Sequence, residues 1–195
     1  MIKPFEFYFD FASPYTFLAH KEIARIEKEN QIKINYMPIL LGGLLKLSGV
    51  KPNADIPIKA KYMIKDCKLW AEKNNISFKF NNFFPIVTLN LMRCVLVAKK
   101  KNFSEIFINK VFDAIWKDDL NLNDDNIVKK LLSNLNINPE SFLMEAQDFK
   151  IKEELKKRTQ EAYKKGIFGS PSFIVNNKIF WGQDRLEFVI SEASK

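Results

Sequence analysis

Thiol and imidazole groups are scarce in this chain of 195 residues, which offers only Cys67, Cys94 and His20 to supply them. The cysteines lie far apart within helical patterns, so they form neither a disulfide framework nor a Cys-x-x-Cys redox pair, and buried, reduced thiols are expected. One histidine cannot build a metal site by itself, and on the first helix its partial burial is the default; no metal is expected. No apolar run approaches bilayer-spanning length, so no membrane partner is expected. The start, Met1-Ile-Lys-Pro-Phe-Glu, meets Glu6 and Asp10 before the apolar centre of a signal peptide can develop, and we expect a cytoplasmic protein. The chain also lacks an internal repeat, zinc-finger spacing and any aromatic–basic RNA motif. Its net charge of +8 sits on lysines mixed with acids, in short groups such as Lys99–Lys101 and Lys164-Lys165. These read as solvated helix faces, with no nucleic-acid partner and at most a pull on small anions.

What the chain does hold is apolar and aromatic bulk, with 47% hydrophobic residues and 18 phenylalanines against 28% charged residues. A chain of this length buries about 70% of its unfolded surface, enough for one domain or for a core with a sizeable insertion. Phe5, Phe7, Phe9 and Phe11 alternate with Glu6, Tyr8 and Asp10, the period of a largely buried strand. The strand runs directly into a helix with Ser13 at the N-cap and Pro14 at the first helical position. A cap alone accounts for Ser13. The functional alternative is that a helix start behind a strand offers free N–H groups and partial positive charge to an anion such as a thiolate. Thiol–disulfide enzymes place a cysteine there, but the tetrad Ser13-Pro14-Tyr15-Thr16 contains no sulfur, so any thiolate must arrive on a ligand.

After a helix over 14–29, Gln31 to Ile39 alternates as a second strand, parallel to the first. Leu40 to Gly49 reads as a short helical turn between glycines. Helical patterns follow at roughly 58–74, 88–101, 104–117, 124–135, 139–147 and 150–165. Leu69, Val95, Phe112, Ile115, Trp116, Leu131 and Leu132 are assigned to the core of this helical block, and Phe78 to Pro85 to an aromatic loop that lines a pocket or plugs one. Strand character returns at Ser172–Val175 and Lys178–Trp181, joined by the hairpin turn Asn176-Asn177. A last helix follows. The order βαβ, helices, αββα suggests a helical block inserted between two halves of one sheet, with 1–45 and 150–195 forming the core and 46–149 the insertion. Pro171 stands directly before a strand. Proline is ordinary there, and a cis peptide with Ser170 would alternatively aim backbone groups at a ligand.

Four segments, Asp10-Phe-Ala-Ser-Pro-Tyr15, Pro38-Ile-Leu-Leu-Gly-Gly-Leu44, Gly166-Ile-Phe-Gly-Ser-Pro-Ser172 and Phe180-Trp-Gly-Gln-Asp-Arg-Leu186, together resemble the 2-hydroxychromene-2-carboxylate isomerase family. That family and the kappa-class glutathione transferases share a DsbA-like, thioredoxin-like α/β fold with an inserted all-helical domain, and the likeness spans nearly the whole chain. The resemblance implies glutathione as cofactor and an anionic aromatic small molecule as substrate. It implies that Ser13 bonds the glutathione sulfur and that Ser170, before Pro171, pairs with the cysteinyl backbone. Trp181, Gly182, Gln183, Asp184 and Arg185 would grip the γ-glutamyl end, with Asp184 on the ammonium and Arg185 on the carboxylate. Asn53, Ala54, Lys59 and Phe84 fall at the substrate end.

The chain departs from the pattern at Val50, where transferases carry asparagine, at Phe84, where isomerases place tyrosine, and at Ser170, usually aliphatic. Three functional readings follow from the resemblance and the residues. One is a glutathione-dependent cis–trans isomerase working by thiolate addition, bond rotation and elimination. Another is a kappa-like transferase or peroxidase that consumes glutathione. A third is a non-enzymatic thioredoxin-fold binding module. Similar proteins are commonly dimers, from which a homodimer is expected.

Overall fold

Alternating aromatics put the first strand at the centre of everything else. In the computed structural model, which describes residues 2–195, β1 is Glu6–Phe9 and the rings of Phe5, Phe7, Phe9 and Phe11 are all buried. Phe7 stacks between Phe9 and Phe173 at centroid distances of 5.8 and 5.3 Å, a run of ring contacts along the sheet face. The chain continues through α1 (Pro14–Asn30), β2 (Asn35–Pro38), α2 (Leu41–Ser48) and a short 3-10 turn at Asn53–Asp55. Six further helices follow: α3 (Pro57–Lys73), α4 (Leu89–Lys100), α5 (Ser104–Trp116), α6 (Asp125–Ser133), α7 (Pro139–Ala146) and α8 (Phe149–Lys164). The hairpin β3 (Ser172–Val175) and β4 (Lys178–Trp181), a 3-10 turn at Gln183–Arg185 and α9 (Leu186–Ala193) complete it.

The sheet order is β2-β1-β3-β4. β1 runs parallel to β2, as the βαβ start requires, and antiparallel to β3 with Phe7 opposite Phe173. All four strands therefore come from the two ends of the chain, and the stretch between β2 and β3 is helical. The hairpin turns where expected because Asn176 and Asn177 both take left-handed conformations, φ 48° and 62°, which asparagine tolerates. β2 is shorter than the alternation suggests. Gln31, at φ 52°, closes α1 and leaves Ile32 to Ile34 as connection.

Three features knit the helical segment to the sheet. Phe11, Phe107 and Phe112 pack together at the end of β1. The Trp116 indole N–H donates to Phe11 O at 2.8 Å, and Phe78, Phe80 and Phe84 cover its ring, so the 78–85 loop plugs the core. Cys67 and Cys94 are free and buried. Leu69 is not in the core: it is 51% exposed, because α3 turns Met63, Cys67 and Ala71 inward and Leu69 lies on the far side of the helix.

Candidate active site

The site begins where β1 ends. Ser13 is the N-cap of α1, extended at φ −98° and ψ 118°, and its side-chain oxygen accepts from the Thr16 N–H at 3.2 Å. The cap expected from the sequence is therefore present, and the same hydroxyl does something further. It donates at 3.1 Å to the carbonyl oxygen of Ser170, the residue before Pro171. Ser13 is buried, and the Tyr15 N–H beside it has no backbone partner among the described residues. A helix start with one hydroxyl and one free amide is suited to an anion.

On the other side of this junction the Ser170–Pro171 peptide is cis. The Ser170 hydroxyl donates to Tyr8 O at 3.2 Å and shares a 2.9 Å bond with the Thr16 hydroxyl, so a serine replaces the usual aliphatic residue by tying both neighbours together. Pro171 O accepts from Gly182 N–H at 3.0 Å, which hangs the Gly182–Arg185 segment from the proline. Gly182 sits at φ +111°, where an added Cβ would lie 2.5 Å from Asp184 Oδ1; only glycine turns the chain so tightly here. Trp181 is half exposed and packs on Phe168, over a Gly169 that has no room for a side chain. Asp184 and Arg185 form an ion pair with each other at 3.1 Å, and their 3-10 turn lies against α1.

The structure thus brings Ser13, Ser170, Pro171 and Gly182 into one hydrogen-bonded chain, with Trp181, Gln183, Asp184 and Arg185 following directly. Phe84 reaches the same region through Trp116, whose ring lies 6.0 Å away and whose N–H holds Phe11 O. Asn53, Ala54 and Lys59 are not joined to Ser13 by any bond among the described residues: Asn53 and Lys59 are exposed, and Ala54 packs on the core. Lys59 does lie seven residues before Asp66 on α3, about 10 Å along the same helix face. Asp66 accepts from the Tyr15 hydroxyl at 2.8 Å, so that face of α3 is turned toward α1.

Two contributors escaped the sequence reading. Thr16 is buried as the second hydroxyl on Ser170. Asp10 is fully buried three residues before Ser13; its Oδ1 accepts from Ala12 N–H and from the Thr88 hydroxyl at 3.0 and 2.6 Å, and its Oδ2 from Leu41 N–H at 2.7 Å. It therefore pins the end of β1, the start of α2 and the start of α4 together. Burial raises its pKa above the ordinary carboxylate value, against the opposing pull of those three donors. The signal available was a carboxylate set between Phe9 and Phe11 at the end of β1, which must be paired if it is buried.

Neither thiol of the chain bonds Ser13 among the described residues: Cys67 lies beside the Tyr15 side chain and Cys94 is buried on α4. Burial pushes the Cys67 thiol far above its ordinary pKa and the Cys94 thiol up to about 12, so neither supplies a thiolate near neutral pH. Among the described residues no cluster of histidine, cysteine and carboxylate suits a metal ion, and no helix is long and apolar enough to cross a membrane.

Comparison with known proteins identifies the fold. The family model described as DSBA-like thioredoxin domain matches residues 5–193. A 2-hydroxychromene-2-carboxylate isomerase of Sphingobium xenophagum is 28% identical over 193 residues, covering 98% of each chain. Glutathione S-transferase kappa 1 of Rattus norvegicus is 24% identical, covering 94% of this chain and 88% of its own. The solved structure of a 2-hydroxychromene-2-carboxylate isomerase superposes with a TM-score of 0.87 at 23% identity, over 96% of this chain and 92% of the other.

Proposed function

The chain belongs to the DSBA-like thioredoxin domain family, and on that premise we propose that it is a glutathione-dependent cis–trans isomerase of 2-hydroxychromene-2-carboxylate or a related conjugated aromatic acid. One observation carries the reading. The helix start where the family's redox members need sulfur holds Ser13, a buried hydroxyl facing the cis-proline segment, and both cysteines of the chain are buried elsewhere. The reactive sulfur then comes with a ligand, and relatives named as isomerases and glutathione transferases support glutathione as that ligand.

The residues present fit it. Glutathione, when bound, supplies a thiolate that adds reversibly to a conjugated carbon, so that the former double bond can rotate. Ser13, whose proton now points to Ser170 O, would donate to the sulfur, a charge-assisted bond of about 1.5–3 kcal/mol to which the Tyr15 N–H and the α1 dipole would add. Ser170 and Pro171 present backbone to the cysteinyl part. Asp184 and Arg185, which pair with each other at 3.1 Å, would hold the ammonium and the carboxylate of the γ-glutamyl end, with Trp181, Gly182 and Gln183 beside them. Phe84 and Ala54 give the substrate apolar contact, Asn53 an amide and Lys59 a cation for its carboxylate. A homodimer belongs to the same proposal and rests on the family resemblance.

The runner-up reading is a kappa-like transferase, supported by the rat relative. One experiment separates the two: incubate the protein with excess hydroxychromene carboxylate and a small amount of glutathione. Isomerisation of many equivalents with the thiol recovered supports the isomerase. Conversion that stops when the thiol is consumed replaces it with the transferase, and no glutathione-dependent conversion at all overturns both.

A further inference from the structure

A cleft of about 410 Å³ opens on the other half of α1, between that helix, β2, the end of α4 and the start of α5. Its volume is that of a small-molecule site. It lies away from Ser13: His20, on its wall, is seven residues further along α1, about 10 Å. Buried Ile34, Val95 and Ile108 contribute apolar surface.

The polar groups around this apolar surface are not evenly satisfied. His20 is buried, and its Nε2 meets Asn109 Oδ1 at 3.3 Å while its Nδ1 meets the Tyr36 hydroxyl at 2.8 Å. Asn109 Oδ1 also accepts from Lys21 at 2.8 Å, so the oxygen is an acceptor for both neighbours. His20 therefore donates from Nε2 and accepts the Tyr36 proton at Nδ1, and burial, followed by the nearby Lys21 ammonium, holds its pKa down to about 4, leaving the ring neutral. Each carboxylate of the cleft has one partner: Glu105 pairs with Lys33 at 2.7 Å, and Glu27 accepts from Ile34 N–H at 2.7 Å. Two of the three lining lysines lack such a pair. Among the described residues Lys99 and Lys110 have no carboxylate partner, the amide nitrogen of Asn109 has no hydrogen-bond partner, and the Lys99 ammonium makes one long hydrogen bond, 3.5 Å to Tyr36 O. Partial burial already pulls the Lys99 ammonium below its ordinary pKa, which an anion beside it would reverse.

We propose that this cleft is a second binding site, for a small molecule with an apolar body and one anionic group, a carboxylate or sulfonate held by Lys99, Lys110 and the Asn109 amide. Three lysines against two carboxylates leave the lining net positive, Lys99, Lys110 and the Asn109 amide are donors that no carboxylate takes up, and the wall behind is aliphatic. A neutral or cationic ligand would leave those donors unmatched.

The test is a methyl and amide NMR titration of the full chain with octanoate, and in parallel with neutral octanamide. Saturable shifts at the Ile106 and Ile108 methyls and the Asn109 side-chain amide are expected with octanoate, and binding at least about tenfold weaker with octanamide. Lys99→Gln, a substitution at an exposed position, should weaken octanoate by about tenfold. Ala24→Trp, which fills the mouth from exposed α1 surface, should abolish the shifts. Equal binding of acid and amide, wild-type affinity in Lys99→Gln, or shifts confined to residues around Ser13 and Trp181 would each overturn the proposal. Concentration-dependent protection of the Ile106 methyl without ligand would overturn it too, by showing the cleft to be a contact between copies of the chain.

Discussion

Replacing Asp10 by asparagine perturbs the junction beneath Ser13 at nearly constant volume. The asparagine oxygen can keep the Ala12 N–H and the Thr88 hydroxyl, which share Oδ1 in the wild type. The new NH2 group must then face Leu41 N–H, which donates to Oδ2 at 2.7 Å, and the first amide of α2 loses its acceptor. An unpaired donor of this kind costs about 1–3 kcal/mol, at the low end here because the Leu41 amide is only partly buried, and relief of the buried charge offsets part of it. A loss of about 1 kcal/mol near neutral pH is the expectation. The pH dependence has a definite sign. Burial puts the folded pKa of Asp10 above its ordinary value of 3.8, so the folded chain holds this proton more tightly than the unfolded one. The stability linked to Asp10 is then fully present below the unfolded pKa and is lost as pH rises through the folded pKa. Asparagine does not titrate, so the gap between wild type and Asp10→Asn should be widest in acid and narrow as pH rises through that window. Urea unfolding of both proteins at a series of pH values measures it. A gap that widens with rising pH would show that the three donors outweigh burial and hold the carboxylate ionised; no gap at any pH would show that the junction does not depend on them.

Arg185→Ala should weaken glutathione binding by about 1.5–3 kcal/mol, while Lys101→Ala, which removes only an exposed partner of Glu145, should change it by near zero; calorimetric titrations of equal affinity would remove Arg185 from the clamp. Insulin reduction should stay at background, and Cys67 and Cys94 should react with a thiol reagent only as fast as the chain unfolds, because burial raises both pKa values; rapid labelling of the folded protein would place a reactive thiol where none is expected.

Much of the fold was legible because local chemistry specified it. Ser13-Pro14 starts α1 and Asn176-Asn177 turns the hairpin, each by a conformation or bond made within a few residues. Leu69 was misplaced since helical spacing alone does not say which of two apolar stripes on α3 faces inward, and the inward one runs through Cys67. The candidate site divides the same way. Ser13 stood out as a cap, but its second bond crosses 157 residues to Ser170, and Asp10 gathers Leu41 and Thr88 from 31 and 78 residues away. No periodicity carries such contacts. Only the family resemblance linked the four segments; Asp10 opens the first of them and Thr16 follows it, and neither was given a role, since each acts by holding neighbours in place.

The central claim is that Ser13 holds a ligand's thiolate, and an ultraviolet titration of the thiol in the glutathione complex tests it most directly, in wild type and in Ser13→Ala. Loss of the cap and of the bond to Ser170 O should cost the mutant about 0.5–2 kcal/mol of stability, which unfolding measures separately. In the folded wild type the thiol pKa should lie about one to two units below its free value of about 8.5, and in Ser13→Ala it should rise back toward that value, with turnover falling as the thiolate fraction falls. A folded mutant with the wild-type pKa and the wild-type rate would contradict the account and leave Ser13 as a helix cap alone.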